Sequence, residues 1–380
     1  GNPVIHFVGV RNYNYWLHSP IFWQVLINSI VLGVATVVIS LCLGFPFAIA
    51  LERFGKYKNV IAGVSLIPWI TPTIVSSLVW YWMYNPFSGL INWTLTKIGV
   101  IKTPIDWLGT PGLAMFSIIL VSAWRRAPYF GVVLNAGLSE IPEELYEAAR
   151  IDGANAWGRF RYVTWPLLSP ISLFLLITLM INSFQSFDII KIMTQGGPVH
   201  ATTIYVYYVY EMAFMYAMKI GKASAAVVIF FAIILILALL QYRLLRRRVR
   251  YLYTGETVMN ERSSLEIIIF VLVALVALAE LFPYFWMATG SLKTLKEINQ
   301  FPPKFLPSSP QWHNYVKAWN SGPFLRYFMN SVIVTFSILI IQLFLTCMAA
   351  YAFSKLKFPG RDLFFYIVIM CLIVPPQVRF

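Results

Sequence analysis

From Asn28 to Ala50 the sequence runs NSIVLGVATVVISLCLGFPFAIA without one charged side chain. No other feature constrains the fold as much. About 20 apolar residues in a helix reach across roughly 30 Å of hydrocarbon, where every backbone amide must find its partner inside the protein. Comparable runs recur, so that spans are expected at about 28–50, 60–84, 113–136, 169–194, 222–244, 265–288, 328–350 and 363–380. Of the 380 residues, 59% are hydrophobic and 12% charged, against about 45–50% and about 25% in a soluble domain. The mean hydropathy is +0.71. The expected fold is an all-α, polytopic helical bundle embedded in a membrane. A porin-type barrel is excluded because its strands alternate in polarity over about 10 residues, and these runs do not.

A net charge of +14 invites a nucleic-acid reading, but the excess lies beside apolar runs, as in Arg243, Arg246, Arg247, Arg248 and Arg250. Basic residues in that position mark the cytoplasmic ends of spans, so no nucleic-acid partner is expected. Cys42, Cys347 and Cys371 sit in apolar runs without a pairing or metal-binding pattern. The four histidines are scattered and form no HExxH, so neither a metal site nor a catalytic constellation is expected. No signal peptide is visible. The chain begins at Gly1 and stops at Phe380 inside an apolar run, and it reads as incomplete at both ends.

Sidedness follows from the basic turns. Arg53, Lys56 and Lys58, the arginine cluster at 243–250, and Lys355, Lys357 and Arg361 fall on one face if spans alternate, and by charge that face is cytoplasmic. The stretch EELYEAARIDGANAWGRF (143–160) is then cytoplasmic too, and the Pro-, Gly- and aromatic-rich loops at 85–112, 195–221 and 289–327 face outward.

The chain also repeats itself. Asn12-Tyr13, Phe22 and Asn28-Ser29 recur 302 residues later as Asn314-Tyr315, Phe324 and Asn330-Ser331. Ile39, Leu41, Leu43, Ala48 and Ala50 recur in the same register as Ile341, Leu343, Leu345, Ala350 and Ala352. Two homologous units are therefore expected, 1–258 and 259–380. The first lacks an N-terminal span and the second is truncated. Met259 is either the start of a second joined polypeptide or an ordinary linker residue.

Within 143–160, Pro142 suits the first turn of a helix, and Glu143 and Glu144 sit at the positive end of its dipole. Glu147, Ala148 and Ala149 continue it with good helix formers, and Asp152-Gly153 ends it, glycine accepting the left-handed conformation. A second short helix is expected from Ala154 to about Val163, with Pro166 leading into the next span. On physical grounds alone this is either a protein-docking surface or an interfacial helix without a partner.

EAARIDGANAWGRFRYVTWPLLSP (147–170) resembles the EAA loop of permeases of ATP-binding-cassette (ABC) importers. It carries Glu147, Ala148, Ala149, Gly153, Val163 and Pro166 in that family's pattern. Asp152-Gly153-Ala154, FQSFDIIKIMTQGGP (184–198) and FVGVRNY (7–13) resemble the carbohydrate-uptake branch, and these segments cover much of 7–250. SLKTLKEI (291–298), WHNYVKAW (312–319) and YAFSKLKFPGRD (351–362) resemble the partner permease of that branch, although the second unit stops before an EAA loop of its own. The resemblance implies a cytoplasmic (inner) membrane permease whose loop, about 139–168, is a coupling helix. Glu147 would make a polar contact to an ATPase, Ala148 and Ala149 would permit close approach, and Asp152 and Gly153 would shape the turn. The implied partners are two cytoplasmic ABC ATPase subunits, an extracytoplasmic solute-binding protein, a second permease subunit and membrane lipid. No GxxxxGK[ST] segment occurs in the chain, so ATP and Mg belong to the ATPase subunits and no cofactor is expected here.

Polar residues at membrane depth are the candidates for a substrate path. Arg125 and Arg126 lie about 18 Å above the cytoplasmic end of their span at 1.5 Å per residue. Asn182, Gln185 and Asp188 lie in the span at 169–194. For the arginines and Asp188 the structural alternatives are snorkelling or mutual pairing, whereas the amides of Asn182 and Gln185 match a hydroxyl-rich solute. Trp69, Trp80, Tyr81 and Trp82 either stack on a sugar ring or anchor the interface. A carbohydrate such as a disaccharide or oligosaccharide is the first expectation for the solute, and a glycerol-phosphate-like anion the competing one. An ion-coupled secondary transporter would rest on Asp188 and Glu280 alone, and a membrane-embedded enzyme would need a nucleophile or metal cluster that the sequence lacks.

Overall fold

A computed structural model of the chain describes residues 8–52, 54–215, 220–246, 282, 283, 285–298, 300, 303–365 and 368. These form two compact units, 1–285 with 375–380, and 286–374. The boundary expected at 259, most of the spans expected at 265–288 and 363–380, and Glu280 lie outside the described residues.

Among the described residues the regular elements of the first unit are all helical. Helix α1 (Arg11–Leu17) precedes α2 (Pro20–Glu52), and then come α3 (Lys58–Ser65), α4 (Ile67–Ile70), α5 (Thr73–Met83) and α6 (Leu90–Lys97). They are followed by α7 (Pro111–Ser139), α8 (Glu143–Ile151), α9 (Ala156–Arg159), α10 (Trp165–Phe184), α11 (Phe187–Met193), α12 (Tyr205–Tyr210) and α13 (Ile220–Arg246). Helix α2 and the continuous stretch Ala156–Phe184 are each long and apolar enough to cross a membrane. Helix α7 is nearly as long as α2 but carries both arginines, and it is enclosed by α2, α4 and α10.

Helices α2 and α7 pack along their length because small residues face each other. A methyl group on Gly44 would lie 2.9 Å from the Ala127 carbonyl oxygen, and one on Gly131 would lie 2.9 Å from the Gly44 carbonyl oxygen. Without a hydrophobic force to join helices in lipid, such close backbone approach is what holds them. Phe47, Ala50, Leu51 and Phe54 pack at the cytoplasmic end. Leu32, Tyr84, Ile118, Trp124, Ile190, Ile204 and Tyr207 pack toward the other end.

Two expected spans are broken. Residues 60–84 fold as Lys58–Ile70 and Thr73–Met83, bent by 84°. Pro72 imposes this break, because the residue before a proline avoids helical dihedrals, and Thr71 is extended at φ −61°, ψ 133°. The span at 169–194 divides into α10 and α11 at Gln185-Ser186. Neither Pro nor Gly stands there. Instead the polar run NSFQSFD offers side-chain partners that compete with the helical ladder, as when Ser186 Oγ donates to the Asn182 carbonyl at 3.3 Å.

The segment 195–221, read as an outer loop, is in part packed into the bundle. Thr202, Thr203, Ile204, Tyr205, Val206 and Tyr207 are buried, and α12 packs on α2 and α13. Asn28 Nδ2 donates to the carbonyls of His200 (2.9 Å) and Thr203 (3.0 Å), and Ser29 Oγ accepts from the Tyr205 amide at 2.8 Å. The polar pair Asn28-Ser29 in an apolar run thereby supplies the hydrogen bonds that an inward-folded backbone requires.

The second unit contains α14 (Leu295–Ile298), α15 (His313–Asn320) and α16 (Phe324–Lys355), the last again long and apolar enough to span. Thr294 and Glu297 form a reciprocal capping box at α14. The Thr294 amide donates to Glu297 Oε2 at 3.0 Å and the Glu297 amide donates to Thr294 Oγ1 at 3.3 Å. Helices α15 and α16 stand to α1 and α2 at nearly the same 302-residue offset as the repeated residues.

Candidate functional site

The two breaks meet the same helix. Arg125 and Arg126 are consecutive on α7, so their side chains leave it about 100° apart, and each reaches one break. Arg125 Nη2 donates to the Thr71 carbonyl at 3.0 Å. Arg126 donates through Nη1 to the Ser122 carbonyl (3.2 Å) and through Nη2 to the Asn182 carbonyl (3.3 Å) and Ser186 Oγ (2.9 Å). An unpaired carbonyl in hydrocarbon costs several kcal/mol, and a guanidinium with five donors can serve several at once. The arginines therefore act as pins at the broken spans, and Arg126 is only 8% exposed.

A cavity of about 260 Å³ opens between them. Arg125, Arg126, Asn182, Gln185 and Asp188, all read from the sequence as path candidates, line it together with Ser122 and Ser186. Of the four aromatic residues considered for stacking, only Trp69 lines this cavity, and its ring lies on Tyr129 with centroids 4.3 Å apart. Trp80 packs instead edge-on against Trp124 in the apolar core. Ser186, which follows Gln185 in the polar run read as path-lining, is there as expected, whereas Thr71 and Ser122 are partners that sequence reading passed over. Pro72 was the available signal for the first of them.

The loop at 139–168 forms a second polar feature. Helix α8 begins at Glu143, with Pro142 as its N-cap rather than its first residue. Glu143 and Arg150 are ion-paired across it. At its end the Ala154 amide donates to the Ala149 carbonyl (2.8 Å) and the Gly153 amide to the Arg150 carbonyl (3.0 Å). That Schellman pattern needs a left-handed residue, and Gly153 has φ +78°. Asn155 Oδ1 accepts from the Gly158 amide at 2.8 Å and starts the next helix. That helix does not stop near Val163 as expected. It continues through a π-helical turn, Phe160–Thr164, into α10. The continuous stretch from Ala156 to Phe184 reaches the cavity at Asn182. Tyr146 hydrogen-bonds Thr164 Oγ1 at 3.0 Å and ties α8 to that stretch. Burial raises the pKa of its phenol; the Thr164 hydrogen bond opposes that shift and Glu143 adds to it.

Glu147, Ala148, Asp152 and Gly153 are exposed and Ala149 is half-buried. Ile151 and Trp157, which sequence reading did not single out, are 86% and 66% exposed beside them. The loop thus presents small and apolar groups beside the exposed carboxylates of Glu147 and Asp152.

A helical membrane bundle with broken spans, a polar cavity between them and a projecting polar loop defines a transport permease. Residues 40–251 match the family of binding-protein-dependent transport system inner membrane components, and the chain belongs to that family. It is 42% identical over 201 residues to a trehalose/maltose transport system permease protein of Thermococcus litoralis, covering 53% of this chain and 68% of the relative. It is 32% identical over 247 residues to an sn-glycerol-3-phosphate transport system permease protein of Agrobacterium fabrum, covering 65% and 83%. Its fold is shared with a chain in the crystal structure of a bacterial ABC transporter involved in the import of the acidic polysaccharide alginate. That match has a TM-score of 0.54 and 23% identity, and covers 65% of this chain and 85% of the other.

Proposed function

We propose that this permease conducts an uncharged carbohydrate, a disaccharide or oligosaccharide, across the cytoplasmic membrane by alternating access driven by separate ATPase subunits. The supporting observation is the cavity at the two helix breaks. Asn182 and Gln185 offer amides suited to hydroxyl groups, Trp69 offers a ring face, and the arginine donors are turned toward Thr71, Asn182 and Ser186. About 260 Å³ accommodates part of such a solute at a time, which fits stepwise passage of a chain. The trehalose/maltose relative supports the same class.

Solute arrives on an extracytoplasmic binding protein. Two cytoplasmic ATPase subunits supply ATP and Mg chemistry, one docked on α8 through Glu147, Ala148 and Ala149, with Asp152 and Gly153 setting the turn. The repeat supports two homologous permease units, 1–258 and 259–380, and closure of the ATPases rocks the spans between inward- and outward-open states.

A glycerol-phosphate-like anion is the second reading, favoured by the two guanidinium groups at the cavity and by the glycerol-3-phosphate relative. A thermal-shift screen of the cognate binding protein separates the two. Stabilisation by disaccharides and not by sugar phosphates supports the first, and the reverse pattern replaces it with the second. Transport on an ion gradient without any ATPase would remove both.

A further inference from the structure

At the foot of α2 and α7 three polar side chains that the cavity does not use converge on one carboxylate. Glu52, the last residue of α2, accepts at Oε2 from Asn135 Nδ2 (2.7 Å), Ser139 Oγ (3.1 Å) and Lys58 Nζ (2.7 Å). Lys58 Nζ also donates to Ser139 Oγ at 2.8 Å, and buried Asn135 donates to the Ala48 carbonyl at 2.8 Å. Three elements are joined there: the end of α2, the start of α3 and the end of α7. Ser139 is the last residue of α7, and α8 begins four residues on. Lys58 starts α3, the lower half of the broken span whose break at Thr71 is pinned by Arg125.

From this we infer that Glu52, Lys58, Asn135 and Ser139 form a latch that passes movement of the coupling loop to the lower half of the broken span and so to the cavity. They are positioning residues, since none of them lines the cavity or lies on α8. Stability alone does not account for the cluster. The Glu52 and Lys58 side chains are 48% and 27% exposed, and an ion pair that open to water contributes little to folding. What the pair supplies is direction: α3 follows α7 instead of sliding past it. At the 302-residue offset the second unit has Ser354 and Gly360 in place of Glu52 and Lys58. Any transmission there lacks this ion pair, and the two units differ in how stiffly they are driven.

The latch rests on the coupling role proposed for α8, and its test separates the two. Uptake and ATP hydrolysis are measured in the same proteoliposomes holding the whole transport complex with its binding protein. Glu52→Ala is expected to lower uptake per ATP about tenfold, within the range typical of coupling between two sites, while the ATPase subunit still co-purifies. Glu52→Gln, which keeps an acceptor for Asn135 and Ser139, falls between. The exchange Glu52→Lys with Lys58→Glu restores uptake per ATP to within about threefold, a rescue expected only if the coupling energy resides in the charge pair. If Glu52→Ala does not assemble, Glu52→Gln and the exchange carry the test.

Unchanged uptake per ATP in Glu52→Gln and Glu52→Ala overturns the latch, and so does an exchanged pair as uncoupled as either single charge reversal. Glu147→Ala with Gly153→Pro serves as the reference. If that variant uncouples and the latch variants do not, the latch alone fails. If it too leaves uptake per ATP unchanged, the coupling role of the loop fails with it.

Discussion

Replacing Arg126 by methionine removes the side chain that closes the α10–α11 break while keeping most of its length. Three hydrogen bonds disappear, to the Ser122 carbonyl at 3.2 Å, the Asn182 carbonyl at 3.3 Å and Ser186 Oγ at 2.9 Å. A hydrogen bond to a charged group contributes about 1.5–3 kcal/mol. The two carbonyl contacts lie at the long end of the range, so about 1 kcal/mol is reasonable for each of them. Ser186 Oγ still serves the Asn182 carbonyl, which lessens the penalty of an orphaned acceptor. Removing a buried guanidinium also relieves its own desolvation cost. The net loss comes to about 3 kcal/mol, a sizeable part of the about 5–15 kcal/mol that holds a domain together. At about 2 °C per kcal/mol for a chain of this size, the detergent-solubilised permease should melt about 6 °C lower. Arg126→Lys, with a point charge instead of a planar fork, should recover about a third of the loss. In proteoliposomes holding the whole transport complex, residual uptake of neutral sugar should fall in rate with little change in KM. An Arg126→Met protein that melts with the parent and loses only the response to sugar phosphates would refute the pin and make the residue an anion clamp.

Gly131→Ala places a methyl group 2.9 Å from a backbone oxygen of α2, and backbone cannot yield as a side chain can. Overpacking of this kind costs about 1–3 kcal/mol, read as a lower melting temperature, with Gly44→Ala behaving alike and the double variant departing from additivity. Gly153→Ala meets nothing within 4 Å, so its cost is the left-handed strain alone, about 1–2 kcal/mol; uptake per ATP should fall in the order Gly, Asn, Ala, Pro at this position. Glu297 is held at a pKa of about 2 by hydrogen bonds from Thr294 and Ser308. A carboxylate depressed below its ordinary value of about 4.3 stabilises its loop above that value and loses the effect as pH falls toward 2. Amide exchange at Thr294 and Ser308, corrected for intrinsic rates, should stay protected at pH 5 and open as the pH falls from about 4 to about 2; Glu297→Gln should remove that dependence.

The membrane-spanning class was legible because hydrocarbon thickness imposes one length on every run, and Asn28 to Ala50 announces it. The turn that ends α8 was legible too, since Asp152-Gly153 offers a left-handed position that few other pairs accept. The breaks were harder. Pro68 and Pro72 together signal a bend, but a hydropathy window averages across them. The α10–α11 break has no proline or glycine, and only the tertiary reach of Arg126 makes it affordable. The five cavity residues were found one at a time as polar groups at membrane depth. That they meet follows from which side of α7 each arginine leaves, and a list of spans does not hold that information. The burial of 202–207 was hidden for a related reason: the partners that permit it, Asn28 as donor and Ser29 as acceptor, lie far away in sequence.

Helix α7 is keyed at both ends. Near its middle the arginines grip two breaks, and Asn135 and Ser139 grip α2 and α3 at its foot. All the contacts depend on one rotational phase, because inserting a single residue turns everything beyond it by about 100°. An insertion between Arg126 and Asn135 therefore cannot satisfy both sets, wherever it falls. Insertions at the loop tip near Gly99 disturb neither. Length variation among functional variants of this chain should accordingly collect in the outer loop and be absent from that ten-residue stretch, however well an extra alanine suits a helix.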